Sequence, residues 1–586
     1  MKKVVYHIGI LFHLLIVAPA FSQAPQQMSY QAVIRNSTNA LVSNTAVGMR
    51  VSILQGSVDG TEVFREIYNP NPITNANGLV TIQIGGGILV KGSFASINWA
   101  NGPYFIKVET DPSGGTNYTI TGISQLLSVP YALYAATAGK SEYQQLSIRN
   151  DTIFLSNGGF VKLPGSASGA TLQDRIISSK VLSGVIDENV ELPKGKYILK
   201  GYVYVNNRAN LRFAPGSVIV GDTIQKGALI IEQNAKIFAE GTATEPIVFT
   251  SGKAPGQRRP GDWGGIALAG NAPTNRTTAP ILEGGINTIY GGPLANDNSG
   301  ILKYVRIEFA GIAADPNSEI NGLTLGGVGR GTIIENVQVS YGNDDAFEFF
   351  GGTVNCKNLI AFATADDDFD FDFGYVGSIQ FGVSLRDPQF IDGGDAGNGI
   401  ECDNDGAGTT ATPRTRPVLS NFTFCGPNGA SGTLSNHNFN TRFRRSTQFV
   451  LINSILMGYQ KAGFQFESDA TAQSYIDGSS LFRNNLVHAV VDPYRVNSTT
   501  LITANDVKSK AESEGSITYA SANDIQLENP FNLIAPNFLP KAGSPALGRA
   551  SFAGFSGLTN VTYVGAFGTA NWTVGWTSFT PQTNIY

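Results

Sequence analysis

Histidine and cysteine are scarce in this chain of 586 residues, which holds four histidines and three cysteines. Two of the histidines lie near the N-terminus, so only His437 and His488 remain in the body of the chain. Cys356, Cys402 and Cys425 are an odd number with no C-x-x-C spacing, so one disulfide is possible, but a disulfide-stapled scaffold or a zinc site is not expected. Chemistry that depends on imidazole is therefore not expected.

Long apolar runs are also missing after the first residues. Residues 1–22 combine the basic start Met1-Lys2-Lys3, a short apolar run and the small residues Ala20 and Ser22. This order predicts a secretory signal peptide, and the apolar run is too short to span a bilayer. Since no later stretch is long and apolar enough either, we expect an exported protein, extracellular or on the outer cell surface, without a membrane span.

Neither a strong excess of charge nor helical periodicity is present. The 40 basic and 45 acidic residues leave a net charge of −5, which does not predict a nucleic-acid partner. The 68 glycines separate short apolar segments, a pattern typical of many strands joined by turns. A chain of this length exceeds one compact core, so either two domains or a solenoid is expected.

The N-terminal part, residues 24–137, is predicted to form a small antiparallel β-sandwich. Val47, Met49 and Val51 alternate with polar or small residues, and Asn77-Gly78 is a turn signal. Several such strands within about a hundred residues are typical of a sandwich. Residues 138–170 follow as a predicted hairpin spacer and flexible linker.

The sequence then repeats itself. Residues 211–222 align with 230–241 at an offset of 19, and residues 335–354 align with 357–376 at an offset of 22. A period near twenty built of short strands predicts a parallel β-solenoid, in which each coil buries its inward side chains against its neighbours. We predict a right-handed parallel β-helix with a C-terminal cap over residues 171–586, with Trp572 and Trp576 packed in the cap.

Several segments are also familiar as sequence. "MSYQAVIRNSTNALVSNTAVGMRVSIL" and "QLLSVPYALYAATAG" resemble a module at the start of exported surface proteins of Bacteroidota. "ALIIEQNAKIFAEGTATEPIVFTS", "GDWGGIALAGNAP" and "LKYVRIEFAG" resemble secreted or surface β-helix proteins of the same group. "KAGSPALG" is similar to the closing segment of extracellular β-helix proteins, polysaccharide lyases among them. The resemblance implies the fold and a surface location more than an activity.

Two acidic stretches, "NDDAFEFFGG" and "DDDFDFDFGY", fall on neighbouring coils at the offset of 22. Side chains alternate along a strand, so the phenylalanines are expected to point inward and form a ladder. Glu348 and Asp370 then point outward, and Glu401 of "NGIECDND" continues their column. Strands of adjacent coils lie about 4.8 Å apart, so such a column is costly unless a raised pKa, a basic partner or a cation offsets the repulsion.

Three interpretations of the acidic residues follow. The aspartates lie where the solenoid turns, so turn capping with solvated outward carboxylates is one. Calcium is another, because it takes several oxygen ligands outside the cell and would make the face a glycan or surface-ligand site. A catalytic site is the third. The candidate metal ligands are Asp344, Asp345, Asp366, Asp367 and Asp368, and the candidate binding residues are Glu348, Asp370, Glu401, Arg442 and Arg444.

The arginines of "RFRR", residues 442–445, are the densest basic cluster in the repeat and bear on whether the acidic face is catalytic. Calcium beside an arginine base is the arrangement expected of a polyuronate lyase, although salt bridges to neighbouring rungs also explain these arginines. A glycoside hydrolase would instead use two carboxylates, from Asp345, Asp367 and Asp368. The favoured function is a non-catalytic glycan- or surface-ligand-binding or adhesion protein, and the alternative is an extracellular polysaccharide lyase or glycoside hydrolase.

Overall fold

A computed structural model describes residues 27–126, 146–149, 152–155, 160–162, 170–315, 318–393 and 396–586. The chain divides into two compact units, residues 1–167 and 168–586. The predicted signal peptide lies outside the described residues. Within the part described, no helix is both long and apolar enough to cross a membrane.

The first unit is antiparallel. Strands β2, β3, β5, β6 and β7 form one sheet in the order β5-β3-β2-β6-β7, and β1 pairs with β4 in a second. Met49, Val51 and Val80 come from the two sheets and are buried in one shared core, so the unit is a small β-sandwich. Strands β8 to β10 form a separate three-stranded antiparallel sheet. The strands are β1 (Met28–Val33), β2 (Gly48–Gln55), β3 (Thr61–Ile67), β4 (Leu79–Ile84), β5 (Ile88–Lys91), β6 (Tyr104–Asp111), β7 (Ile120–Gln125), β8 (Leu146–Arg149), β9 (Thr152–Leu155) and β10 (Phe160–Lys162).

The second unit is a parallel β-helix whose 27 principal strands are joined edge to edge. Helices α1 (Leu172–Ser179), α2 (Asp469–Ile476) and α3 (Ala504–Ser513) accompany them. The strands are β11 (Val181–Ile186), β12 (Val190–Leu192), β13 (Lys196–Val205), β14 (Asn210–Phe213), β15 (Val218–Gly221), β16 (Ala228–Ile231), β17 (Lys236–Glu240), β18 (Ile247–Ser251), β19 (Ile266–Ala269), β20 (Gly300–Glu308), β21 (Ala313–Asp315), β22 (Ser318–Glu319), β23 (Leu323–Gly326), β24 (Ile333–Ser340), β25 (Phe347–Phe350), β26 (Cys356–Phe362), β27 (Phe369–Asp372), β28 (Ser378–Leu385), β29 (Ile400–Cys402), β30 (Val418–Ser420), β31 (Thr423–Cys425), β32 (Thr441–Phe443), β33 (Val450–Ile452), β34 (Ile455–Tyr459), β35 (Ala462–Glu467), β36 (Leu481–Arg483), β37 (Leu486–Ala489), β38 (Asp492–Asn497), β39 (Ile517–Thr518), β40 (Leu527–Asn529) and β41 (Asn537–Pro540).

Each coil contributes to three faces. The first sheet stacks β16, β19, β23, β25, β27, β29, β32, β35 and β38. The second sheet uses the first halves of long strands such as β24, and the third sheet uses their second halves. Between the halves the chain turns at Asn336, Asn358, Asn421, Asn453 and Asn484, whose φ angles lie between 52° and 57°. Asparagine tolerates this left-handed conformation better than most residues, so its recurrence marks the corner.

The predicted phenylalanine ladder is present inside the first sheet. Phe347 pairs in register with Phe369 and Phe349 with Phe371, at the offset of 22. All four are fully buried, and their rings stack with centroids 5.2 Å and 5.0 Å apart. The offset of 19 is wrong. Leu211 pairs with Ile237, 26 residues later, because the coils of this region carry longer turns.

The ends of the β-helix are closed differently from the prediction. Helix α1 packs Ile176 against the first coils, and α3 inserts Val507 and Ala511 into the main core at the last coil. Trp572 and Trp576 do not cover the last coil. They belong to the segment 519–586, which runs back along the third sheet and covers its apolar outer side chains, among them Ile360, Val383 and Met457. Cys356, Cys402 and Cys425 are buried free thiols.

Candidate functional site

The acidic column lies on the outer surface of the first sheet, which we call the acidic face. Glu348 pairs in register with Asp370, Asp370 with Glu401, and Glu401 with Arg442. The backbone register therefore brings the predicted binding residues together, with Arg444 two residues beyond Arg442 on the same side. Their roles in binding remain predictions.

The aspartates at the turns bond backbone amides of the next coil. Asp345 Oδ1 accepts a hydrogen bond of 2.8 Å from the amide of Asp367, and Asp367 Oδ1 accepts one from the amide of Asn398. This is the capping expected of aspartate at a turn. The same residues are not solvated, however. Asp345 and Asp367 are 7% and 4% exposed, and Asp344 and Asp366 are half-buried.

Asp368 does not belong with the other candidate metal ligands. Its side chain is completely buried, where Oδ1 accepts hydrogen bonds from Thr364 (2.6 Å) and from Nη1 of Arg386 (2.9 Å). Its Oδ2 accepts bonds from Ser384 (2.5 Å) and Tyr459 (3.1 Å). A carboxylate with four donors has no oxygen left for a cation or a substrate, so the prediction of Asp368 as a ligand is wrong for a structural reason.

Two groups of three carboxylates have oxygens within 4.8 Å of one another, and both contain Asp345. One group adds Asp344 and Asp366 of the turns, and the other adds Glu348 and Asp370 of the acidic face. Burial, followed by the neighbouring carboxylates, raises the pKa of Asp345, Glu348 and Asp370 well above the usual range. The ion-free protein therefore holds these groups together at a cost in charge repulsion and desolvation.

The second group has no salt-bridge partner in the described part of the chain, and the charge of Arg444 offsets only part of the rise in the pKa of Asp370. No lysine or arginine nitrogen of the described residues lies within 4.0 Å of Asp345, Glu348 or Asp370. Oδ1 of Asp370 is buried from solvent and has no hydrogen-bond partner. Buried polar oxygens are nearly always bonded, so this oxygen is able to accept a further donor or a cation. Carboxylate oxygens are the ligands that calcium and magnesium prefer.

The next two rungs of the acidic face are neutralised by arginine. Arg442 bonds Glu401 (3.2 Å) and Glu467 (3.0 Å), and Arg444 bonds Glu401 and Asp403. Burial alone would lower the pKa of Arg442 and Arg444, but Glu401 reverses this effect and raises both. An arginine with a raised pKa is poorly matched to a general base, whose pKa should lie near the operating pH. These arginines are salt-bridge partners of the rungs.

The carboxylates proposed for glycoside hydrolysis are equally ill placed. Such an enzyme needs an acid and a base on either side of an open cleft. Asp345 and Asp367 are buried in the turns, where backbone amides bond them, and Asp368 lies in the interior. Trp263 is also fully buried and donates its indole N–H to the carbonyl of Glu308, so it is not available to stack on a sugar.

Several charged residues of the site were missed from the sequence. Asp372 and Asp403 extend the acidic face, and the alternation in "FDFDF" and "ECDND" was the signal that could have found them. Burial raises the pKa of Asp372 to about 7. Asn321 donates from its Nδ2 to the carboxylates of both Glu348 and Glu283, and Glu283 itself hydrogen-bonds Glu348. Glu283 lies in an insertion without repeat, so no sequence signal pointed to it.

Comparison with known families agrees with this architecture. The pectate-lyase-like β-helix domain matches residues 184–577. The chain belongs to this β-helix family. Residues 29–126 match a domain of unknown function (DUF8740). No curated protein and no solved structure matches the chain.

Membership of this β-helix family supports a polysaccharide-related protein in general terms. A polysaccharide-related role agrees with the β-helix as described. The acidic face lies on the outer surface of the first sheet, whereas the C-terminal segment covers the outer surface of the third sheet. The distinction between binding and cleavage depends on the residues of the acidic face.

Proposed function

We propose that this chain binds an acidic polysaccharide, without cleaving it, through a calcium ion held on the acidic face. The orphaned oxygen of Asp370 beside Asp345 and Glu348 carries the proposal, because three carboxylates with oxygens within 4.8 Å of one another and no salt-bridge partner in the described residues suit a bound cation. Calcium accepts six to eight oxygen ligands, so three carboxylates leave coordination positions for ligand oxygens.

The class of polysaccharide follows from charge. Without a cation the acidic face repels anionic glycans, and with calcium it offers a metal ion that a uronate carboxylate can bind. The arginines of the neighbouring rungs keep Glu401 and Asp403 neutralised, so the attraction is centred on the unpaired carboxylates. A protein with this function works outside the cell, in keeping with the predicted signal peptide and surface location.

The arginines and aspartates already described support the proposal that the polysaccharide is not cleaved. A lyase needs a base that accepts the C5 proton, and Arg442 and Arg444 are held protonated by ion pairs. A hydrolase needs two exposed carboxylates, whereas Asp345 and Asp367 are buried. The polysaccharide is therefore a ligand in this proposal.

Calorimetry with the purified chain tests the proposal. Calcium is titrated first, and polygalacturonate and a neutral glucan are then titrated with calcium and with chelator. We expect calcium to bind and polygalacturonate to bind only in its presence, with no rise in ultraviolet absorbance from unsaturated ends and no new reducing sugar. Failure to bind calcium, or calcium-independent binding of polygalacturonate, overturns the proposal, and unsaturated ends would establish the lyase instead.

A further inference from the structure

A pocket of about 250 Å³ lies on the outer surface of the second sheet, beside the C-terminal segment. The first halves of β24, β26 and β28 line it with residues such as Ile333, Lys357 and Ser378. Residues 557–559 of the C-terminal segment contribute another wall. The pocket therefore lies on a different sheet from the acidic face and shares no residue with it.

Hydrogen bonds hold the C-terminal segment in place at this pocket. Gln380 donates from Nε2 to the carbonyl of Thr559 (2.8 Å), and its Oε1 accepts from the amide of Thr559 (2.7 Å). Lys357 donates from Nζ to the hydroxyl of Thr559 (2.8 Å). Since its walls are already joined, the pocket offers a ligand a preformed site, which reduces the ordering cost of binding.

The charged side chains of the pocket leave an excess of positive charge. Glu335 is the acidic residue of the lining, and it is paired with Lys303 (3.3 Å). Lys357 and the exposed Arg330 also line the pocket, and no carboxylate oxygen of the described residues lies within 4.0 Å of their side-chain nitrogens. A lysine has three donor hydrogens and an arginine five, so both side chains have hydrogens left for a ligand. The pocket therefore favours an anionic ligand.

The uncharged part of the lining suits a sugar. Asn355 and Ser378 bring an amide and a hydroxyl group, and Oδ1 of Asn355 accepts from the amide and the hydroxyl of Ser378 (2.9 Å each). Ile333, which is 42% exposed, and the half-buried Leu558 add apolar surface. Pockets for larger organic ligands have volumes of about 300 to 1,000 Å³, so this smaller pocket fits a ligand of about one sugar residue.

We infer that this pocket is a second carbohydrate site, which takes one sugar acid, free or at the end of a chain, and pairs its carboxylate with Arg330. Arginine presents paired N–H donors to a carboxylate, and such charge-assisted bonds are stronger than neutral ones. The site uses no cation and goes beyond the calcium-dependent binding proposed above. A long polygalacturonate offers few chain ends, so its binding in calorimetry reports the acidic face and not this pocket.

The test uses galacturonate as the probe, always with chelator present. Galactose, which lacks the carboxylate, and acetate, which lacks the sugar, are titrated in parallel. Affinity is measured by calorimetry. Hydrogen exchange of peptides from residues 330–335 and 555–560 locates the bound sugar acid on the chain.

The variant Arg330→Gln is compared with Arg208→Gln as a matched control. Arg208 is an exposed arginine in the turn before β14, and β14 pairs with β17, β17 with β20 and β20 with β24, so it lies three coils from the pocket on the same sheet. Like Arg330, it has no carboxylate oxygen of the described residues within 4.0 Å. Its variant removes the same charge without touching the pocket.

Galacturonate has about thirteen non-hydrogen atoms, and at ordinary ligand efficiency we expect a dissociation constant of about 1 mM for the wild type and for Arg208→Gln. Arg330→Gln should bind it about tenfold more weakly, because a hydrogen bond to a charged group is lost. Galactose and acetate should bind the wild type more weakly by a similar factor. Galacturonate should slow exchange in residues 330–335 and 555–560.

Four results contradict the inference. Equal affinity for galactose refutes the role of the carboxylate, and equal affinity for acetate refutes the sugar. Unchanged affinity of Arg330→Gln refutes the role of Arg330. Absence of galacturonate binding, or protection only in other peptides, refutes the pocket. Because chelator is present throughout, each of these results leaves the proposed calcium site standing.

Discussion

We expect the substitution Asp370→Asn to make the ion-free protein more stable. Asparagine has almost the same shape as aspartate, so the substitution removes the negative charge and little else. Asp370 faces Asp345 and Glu348 at oxygen distances within 4.8 Å. At an effective dielectric constant of 20, each such pair repels by about 3 kcal/mol. Partial protonation relieves much of this at neutral pH, so we expect a net gain of about 2 kcal/mol from the substitution.

Calcium is expected to reduce the stability advantage of Asp370→Asn. Extracellular calcium modules bind with dissociation constants of about 0.1 to 1 mM. About 10 mM calcium then stabilises the wild type by roughly 1.4 to 2.7 kcal/mol. Asp370→Asn gains much less because it lacks one charged ligand. The stability advantage of the variant without calcium should therefore shrink or disappear when calcium is present.

Urea unfolding followed by tryptophan fluorescence measures both effects. Trp263, Trp572 and Trp576 lie in the second unit, so the signal reports mainly the β-helix. Asp403→Asn is the matched control on the same face, because Asp403 bonds Arg444 (2.9 Å) and Arg445 (2.7 Å). Its loss should destabilise the protein with and without calcium, since Arg445 loses its carboxylate partner and Arg444 loses one of two.

The reasoning is refuted by either of two results. One is that Asp370→Asn is no more stable than the wild type in chelator. The other is that both proteins gain the same stabilisation from calcium. The first would mean that the carboxylates are already neutralised, and the second would mean that calcium binds elsewhere.

Three further substitutions test the rest of the structure. Phe371→Ala removes a fully buried ring that stacks on both Phe349 and Tyr375, and should cost about 3 to 5 kcal/mol in urea unfolding. A loss below about 1 kcal/mol would contradict the ladder. Burial is the main reason that the pKa of His437 is lowered to about 3. As the pH falls, the unfolded chain therefore binds the proton before the folded protein does. Between about pH 7.5 and pH 5 the free energy of unfolding of the wild type should fall by about 2 kcal/mol relative to that of His437→Asn. A stability difference between these two proteins that does not change with pH would contradict that shift. Gln380→Ala removes both hydrogen bonds between the Gln380 amide and the backbone of Thr559, so urea unfolding should show a loss of about 1 to 3 kcal/mol and proteolysis of the C-terminal segment should be faster; unchanged proteolysis would show that this contact does not hold the segment.

The stacking of the coils was predicted from the sequence more accurately than any other part of the fold. Phe347 over Phe369 and Glu348 over Asp370 were both predicted from the offset of 22, because stacked coils place like residues above like and alternate them between core and solvent. The offset of 19 failed because a short apolar segment matches many others when turn lengths vary. The packing of Trp572 was missed because a segment that folds back along a solenoid leaves no period in the sequence.

For the candidate site, too, some features were predictable from the sequence and others were not. Strand alternation and coil length are local properties, so the amino-acid order is enough to place Glu348, Asp370 and Glu401 in one column. The three-dimensional packing was needed to show that arginines neutralise Glu401 while Asp370 keeps an orphaned oxygen. That difference depends on which distant segments come to lie within a few ångströms, and both the repulsion between charges and its relief act through those distances.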